Sequence, residues 1–192
     1  MTSIGIDLAA SEKKPTYLCE LRDGEALLWR ALRDREIIIA VSSRRPRVVS
    51  IDAPLSVPAL GEAFRAQELA AMKLGAKLLP LTLKSMRALA LRGASLSREM
   101  KALGLEVVET HPTSAAMALG LSSTVELAEK LTGVKLTRGE ADSLLCALVG
   151  ELYIESSCKN YGGSPPFVLP DPSRGQRVFS RRIEVRRRAP RS

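Results

Sequence analysis

Aromatic side chains make up only 4% of this 192-residue chain, too few for a broad platform on which successive nucleobases stack. There is a single histidine, His111. That excludes a histidine-rich transition-metal centre and leaves a hard cation on oxygen ligands as the metal to expect. The three cysteines, Cys19, Cys146 and Cys158, are odd in number and never spaced C-x-x-C, so reduced thiols are expected and not a disulfide framework. No apolar run approaches the roughly 20 residues that span a bilayer. The N-terminus also lacks the charged, apolar, small-residue order of a signal peptide, because its first apolar run is brief and contains Asp7. The expected location is cytoplasmic, with no membrane partner.

The residues present are average in total and uneven in distribution. Apolar residues are 45% and charged residues 26%, the balance of a soluble globular protein. The length suits one domain, or one domain with a decorated terminus. The formal charge of +8 belongs to the C-terminus: residues 1–173 hold 21 Lys/Arg against 20 Asp/Glu, and residues 174–192 hold eight arginines against Glu184 alone. Such a tail either binds a phosphate backbone, with affinity falling steeply in salt, or is a solvated terminus. Inside the domain, residues 62–101 carry eight basic and three acidic groups, and residues 102–158 carry three basic and eight acidic. That layout suits a polyanion lying beside an acidic, metal-seeking centre.

Apolar patterning orders the elements. Residues 2–9 read as a buried strand, followed by two alternating runs around Asp23-Gly24, a type I′ hairpin signal. A short helix is expected over 33–44, a second buried strand over 47–52, a helix over 60–76, and a helical stretch over 81–103 interrupted near Gly93. A third core strand over 105–109 precedes Pro112, a helix start. Helices follow over 123–132 and 137–157, the latter opened by "TRGE", a capping box of Thr137 and Glu140. The domain is expected to end near residue 160, with 161–192 as a Pro/Gly-rich linker and arginine-rich extension, in which "RVFSRRIEV" can add an edge strand. This order predicts an α/β fold: a mixed five-stranded sheet with helices on both faces.

Three of the strands run into an acid: Asp7, Asp52 and Glu109. Singly each has an ordinary explanation, such as an Asx-turn, and Asp142 near a helix start can simply favour the macrodipole. Together they ask for another reason. Carboxylates gathered at the carboxyl ends of parallel strands repel, and a divalent cation removes that conflict. Mg²⁺ or Mn²⁺ so held acidifies a bound water and stabilises charge on a phosphate.

"GIDLA" at 5–9, "IDAPLSVP" at 51–58, "VVETHPTSA" at 107–115 and "EADSLLCAL" at 140–148 resemble the DUF429 family of predicted nucleases, over about residues 2–150. "KSMRALALRGASL" at 84–96 resembles that family's segment before its third core strand, and Arg65 sits where the family tends to place an arginine. The resemblance implies a ribonuclease H-like fold, strand order 3-2-1-4-5, related to Holliday-junction resolvases. It implies metal ligands Asp7, Asp52 and Asp142, with Glu109 as the E-x-x-P acid of the catalytic set. The place three residues before the last aspartate, often an acid or histidine in resolvases, is here Gly139.

The resulting expectation is a metal-dependent phosphodiesterase acting on DNA or RNA, bound through residues 62–101 and the arginine-rich tail. Arg65, Lys84, Arg87 and Arg92 are the candidate phosphate contacts, since arginine pairs bidentately with phosphate. His111 is either a proton-transfer aid or a turn residue. The alternative is a catalytically inactive ribonuclease H-like protein that binds nucleic acid or scaffolds. An actin-like kinase is disfavoured because "DLAASEKK" lacks a glycine-rich phosphate turn and the chain is too short for two such domains.

Overall fold

The computed structural model describes residues 2–59, 61–174 and 176–188. Strands β1 (Thr2–Asp7), β2 (Thr16–Arg22) and β3 (Glu25–Ala31) form an antiparallel meander. Its hairpin is tight because Asp23 and Gly24 take positive φ, 51° and 84°, the type I′ turn whose twist matches the strands. After helix α1 (Asp34–Ser42), β4 (Val48–Asp52) returns parallel to β1, and β5 (Val107–Thr110) lies parallel to β4. These five stand in the expected order 3-2-1-4-5. A sixth, β8 (Glu184–Arg187), adds parallel to the outer side of β3.

Alternation along the strands divides the core into two layers. Ile4 and Ile6 of β1, with Val49 and Ile51 of β4, pack with Ile37 and Val41 of α1 and with Leu96 and Met100 of α3 (Lys84–Ala102). Ser3, Gly5 and Asp7 alternate onto the opposite face, which α6 (Arg138–Ile154) covers. Every residue of α6 from Ala141 to Leu152 is buried. That fits its place between the sheet and the outer helices α4 (Pro112–Ala118) and α5 (Thr124–Thr132). The contact is close because Gly5 has no side chain: a Cβ there would stand 2.1 Å from Ala147 N and Ser143 O. Ser3 Oγ donates to the Ala147 carbonyl at 2.8 Å. The Thr137–Glu140 capping box forms, Thr137 N donating to Glu140 Oε2 at 2.9 Å.

Two expected helices differ. Helix α3 runs unbroken through Gly93, whose lack of a Cβ lets it meet the turn after β4, since an added Cβ would lie 2.7 Å from Pro54 O. Over 60–76 only α2 (Ala66–Met72) is helical, and residue 60 lies outside the described residues.

At the C-terminus, the segment expected as linker and free extension is packed into the domain. Strand β6 (Cys158–Asn160) pairs with β7 (Val168–Pro170), and Phe167 and Val168 are fully buried. Glu109 N donates to Pro166 O at 2.9 Å and Thr110 Oγ1 to Val168 O at 3.0 Å, so this segment covers the free side of β5. Beyond α7 (Gln176–Phe179), β8 covers β3. Arg181 pairs with Glu151 and Glu155 at 2.7 and 2.8 Å, Arg186 with Glu25 at 3.2 Å and Arg187 with Glu140 at 2.6 Å. Those three tail arginines are paired with the protein's own acids; Arg191 lies outside the described residues. Among the described residues no helix is long and apolar enough to cross a membrane.

Candidate active site

The parallel register sets Asp7 directly beside Asp52. Each is the last residue of its strand, so both emerge at the carboxyl edge of the sheet, on strands about 4.8 Å apart and on one face. That face is the one Gly5 opens to α6. The helix runs back along β1 and brings Asp142 from its second turn over the same edge. Asp142 is 8% exposed, and its Oδ1 has no hydrogen-bond partner. Its Oδ2 stands 3.5 Å from Arg138 Nε.

Electrostatics ties the three together. Burial and then the Asp142 charge push the Asp7 carboxyl up to about 7, against a pull down from Arg138. Asp52 is raised well above the usual carboxylate range by burial first, then by Asp7, Asp142 and Glu109. Burial also raises Asp142, which the Thr124 hydroxyl and Arg138 draw back down. Three partly desolvated acids therefore contend for charge in one place. Among the described residues no three His, Cys, Asp or Glu side chains stand where together they could hold a metal ion. The donor set is nonetheless all oxygen, mutually repelling, and holds one orphaned buried atom, Asp142 Oδ1. That chemistry fits a hard divalent cation.

Glu109 differs from the three aspartates in its partners, although its charge is felt at Asp52 and both line one cleft. Its register partner is Ile51, while Asp52 pairs with Thr110, so the period of two turns Glu109 to the opposite face of the sheet from Asp52. There both its oxygens are committed: Arg65 Nη1 donates to Oε2 at 2.9 Å, Arg65 Nη2 to Oε1 at 2.5 Å, and Leu55 N to Oε2 at 2.9 Å. Its role is to hold the turn after β4 and the start of α2.

The four basic candidates divide in the same way. Arg65 is 6% exposed and also donates to Glu68 at 2.7 Å, so its guanidinium is committed to the protein's own acids. Arg92 is 8% exposed and donates to Asp34 Oδ1 and Ala9 O, both at 2.7 Å, bracing the loop that follows Asp7. Lys84 is exposed and Arg87 half-buried, on the first turn of α3. The same turn supplies Met86 to a cleft of about 160 Å³, whose walls include Asp52, Glu109, Glu68, His111 and Phe167. His111 caps α4, its Nδ1 accepting from Ser114 N at 3.3 Å. Burial and then Arg138 hold the imidazole down at about 4, so it is neutral at pH 7.

Two site residues escaped the sequence reading. Arg138 escaped because a basic residue opening a helix reads as a solvated charge, yet it overhangs the acids. Tyr17 escaped because it sits mid-hairpin. It is the register partner of Asp7, and its ring fills the space at Gly139, where a Cβ would lie 2.4 Å from Cδ2. The place of a possible fourth ligand is thus taken by a phenol ring.

No protein-family model matches the chain, and no curated protein matches it. Solved structures do. Thermus thermophilus RuvC in complex with a Holliday junction substrate superposes with a TM-score of 0.51 at 14% identity, covering 81% of this chain and 96% of that one. The fold is ribonuclease H-like. A second Thermus thermophilus RuvC structure gives a TM-score of 0.46 at 16% identity over 88% of this chain and all of that one. Within the ribonuclease H-like sheet of this chain, Asp7 and Asp52 end the first and fourth strands, and Asp142 comes from the long helix laid across them.

Proposed function

We propose that this protein is a metal-dependent nuclease that hydrolyses phosphodiester bonds of nucleic acid, and that it belongs with the DUF429 proteins its motifs resemble. The observation that carries this reading is the set of three part-buried carboxylates at one sheet edge, with Asp142 Oδ1 left unpartnered among them. Asp7, Asp52 and Asp142 would hold Mg²⁺ or Mn²⁺, which when bound supplies an acidified water and charge neutralisation at phosphorus. The chain's own residues do the rest. The sheet edge fixes the direction of two acids, α6 supplies the third, and neutral His111 lies on the cleft wall beside Asp52. Lys84 and Arg87 share the first turn of α3 with Met86, which lines that cleft, and are offered to a phosphate backbone, of DNA or of RNA.

A second reading, an inactive ribonuclease H-like protein that binds nucleic acid or scaffolds, draws on two observations. Tyr17 crowds Gly139, and among the described residues the acids are not already closed around a metal position. One experiment separates the two. Branched, single-stranded, duplex and hybrid oligonucleotides are incubated with Mg²⁺ or Mn²⁺ and the parent protein, Asp7→Asn or Asp52→Asn, alongside Mn²⁺ calorimetry. The nuclease reading expects cleavage and Mn²⁺ binding by the parent, both lost in the variants. Equal cleavage by parent and variants would sink it.

A further inference from the structure

The acid cluster carries its own cation. Arg138 is the first residue of α6, one turn before Asp142; its side chain is 80% exposed and its Nε stands 3.5 Å from Asp142 Oδ2. A charge-assisted N–H···O bond closes to about 2.7–2.9 Å, so this pair is loose. It is not there for the helix either: a cation in the first turn opposes the macrodipole, whose N-terminal end is positive. Arg65 and Arg92 are each locked by several short donations. Among the described residues, Arg138 is instead held by this one long pair. Its charge is felt at Asp7, Asp52 and Asp142 alike.

We propose that Arg138 is the resident counter-charge of the acid cluster, is displaced when a divalent cation binds Asp7, Asp52 and Asp142, and then grips a substrate phosphate. This rests on the nuclease reading of the site. A guanidinium and a divalent ion cannot share Asp142 without repelling each other over a few ångströms. The mobile partner yields, because a long exposed side chain leaves at little cost. What it turns toward follows from its chemistry: the planar fork matches phosphate oxygens, and a polyanion brought to the metal lies within reach. Arg138 would thus exchange a protein acid for a substrate anion in step with metal loading.

Loss of the Arg138 charge should move metal binding and nucleic-acid binding in opposite directions. In Arg138→Gln, Mn²⁺ measured by calorimetry without nucleic acid should bind about three- to tenfold more tightly, because a competing charge is gone. The same variant should bind oligonucleotide about tenfold more weakly, measured with Ca²⁺ in place of Mn²⁺, and lose about one unit from the salt slope. Arg138→Lys keeps the charge and lacks the fork, so it should restore parental Mn²⁺ affinity without restoring full oligonucleotide affinity. Exposure of the side chain predicts that both variants fold, which thermal melting checks. Unchanged or weaker Mn²⁺ binding in Arg138→Gln, with a parent that binds Mn²⁺ and cleaves, overturns the Arg138 proposal alone. A parent that binds no Mn²⁺ overturns the nuclease reading and the proposal with it.

Discussion

Asp7 is level with Asp52 in the sheet and faces Asp142 from α6, so replacing its charge acts on chemistry and on folding in opposite directions. Asp7→Asn or Asp52→Asn should abolish Mn²⁺ binding and reduce cleavage by roughly a thousandfold or more, through loss of the metal's charge stabilisation. The metal-free variants should nevertheless be more stable than the parent at alkaline pH. Asp7 holds its proton up to about 7 in the folded protein, against 3.8 ordinarily. The folded state therefore binds more protons between those values, and stability falls as pH rises through that window. His111 titrates the other way, its folded value lying below its ordinary one, so the clean quantity is the difference between parent and Asp7→Asn. That difference should grow from pH 5 to pH 8, reaching about 1–3 kcal/mol in chemical denaturation. Saturating Mn²⁺ should reverse it by stabilising the parent only. A difference that stays flat with pH would mean that burial and the Asp142 charge do not raise the Asp7 carboxyl in the folded chain. Glu109→Gln is the contrasting case. Gripped by Arg65, Glu109 should cost about 1–3 kcal/mol of stability when neutralised, because the buried guanidinium then keeps Glu68 as its only charged partner. Mn²⁺ affinity measured on the folded fraction should stay at the parental value.

At the scale of elements, the site is made by three things: where two strands stop, how a helix is seated, and which turn of it faces the acids. Gly139 shows the last of these. An acid at that position would sit one turn before Asp142, but its Cβ would collide with the Tyr17 ring at 2.4 Å. Gly139→Asp alone should therefore destabilise the protein by about 1–3 kcal/mol through overpacking. Gly139→Asp with Tyr17→Ala should recover much of that loss and add a second Mn²⁺ to the calorimetric stoichiometry. A double variant as unstable as the single one would show that the ring is not what excludes a side chain. Much of this architecture was legible from patterning. Apolar runs that stop on Asp7 and Asp52 mark strand ends, Asp23-Gly24 marks the hairpin, and Thr137 with Glu140 marks the start of the long helix. The end of β5 was off by one residue: the strand runs to Thr110, one past the acid, and Glu109 pairs in register with Ile51 instead of Asp52. Arg65 and Arg92 entered as candidate phosphate contacts, and their burial and acid partners were not visible in the sequence. Pairing at long separation, as of Arg65 with Glu109, leaves no mark on local sequence pattern.

Over the whole molecule, the net charge of the last residues invites one explanation and the contacts supply another. Arg181 reaches acids near the end of α6, Arg187 reaches Glu140 in its first turn, and β8 between them extends the sheet, so the segment acts as a clasp along the site helix. Glu140 also closes the cap of α6, and Arg187 holds its carboxyl down at about 2. Without the strand, the N–H and C=O groups of β3 would face solvent as an open edge, a template for association with another chain. Ending the chain after Arg182 removes β8, the Arg187 pair and the buried Ile183, and leaves Asp7, Asp52, Asp142, Lys84 and Arg87 in place. The shortened protein should melt at least about 5 °C lower, since 1 kcal/mol shifts a domain of this size by roughly 2–4 °C, and should associate on concentration. An arm that bound nucleic acid would behave differently: its loss would leave the melting temperature alone and reduce the slope of log K against log salt by nearly one for each phosphate contact. Measuring both on one truncated protein decides the question. A fall in stability with an unchanged slope assigns the arginines to the clasp, and an unchanged melting temperature with a reduced slope assigns them to the substrate.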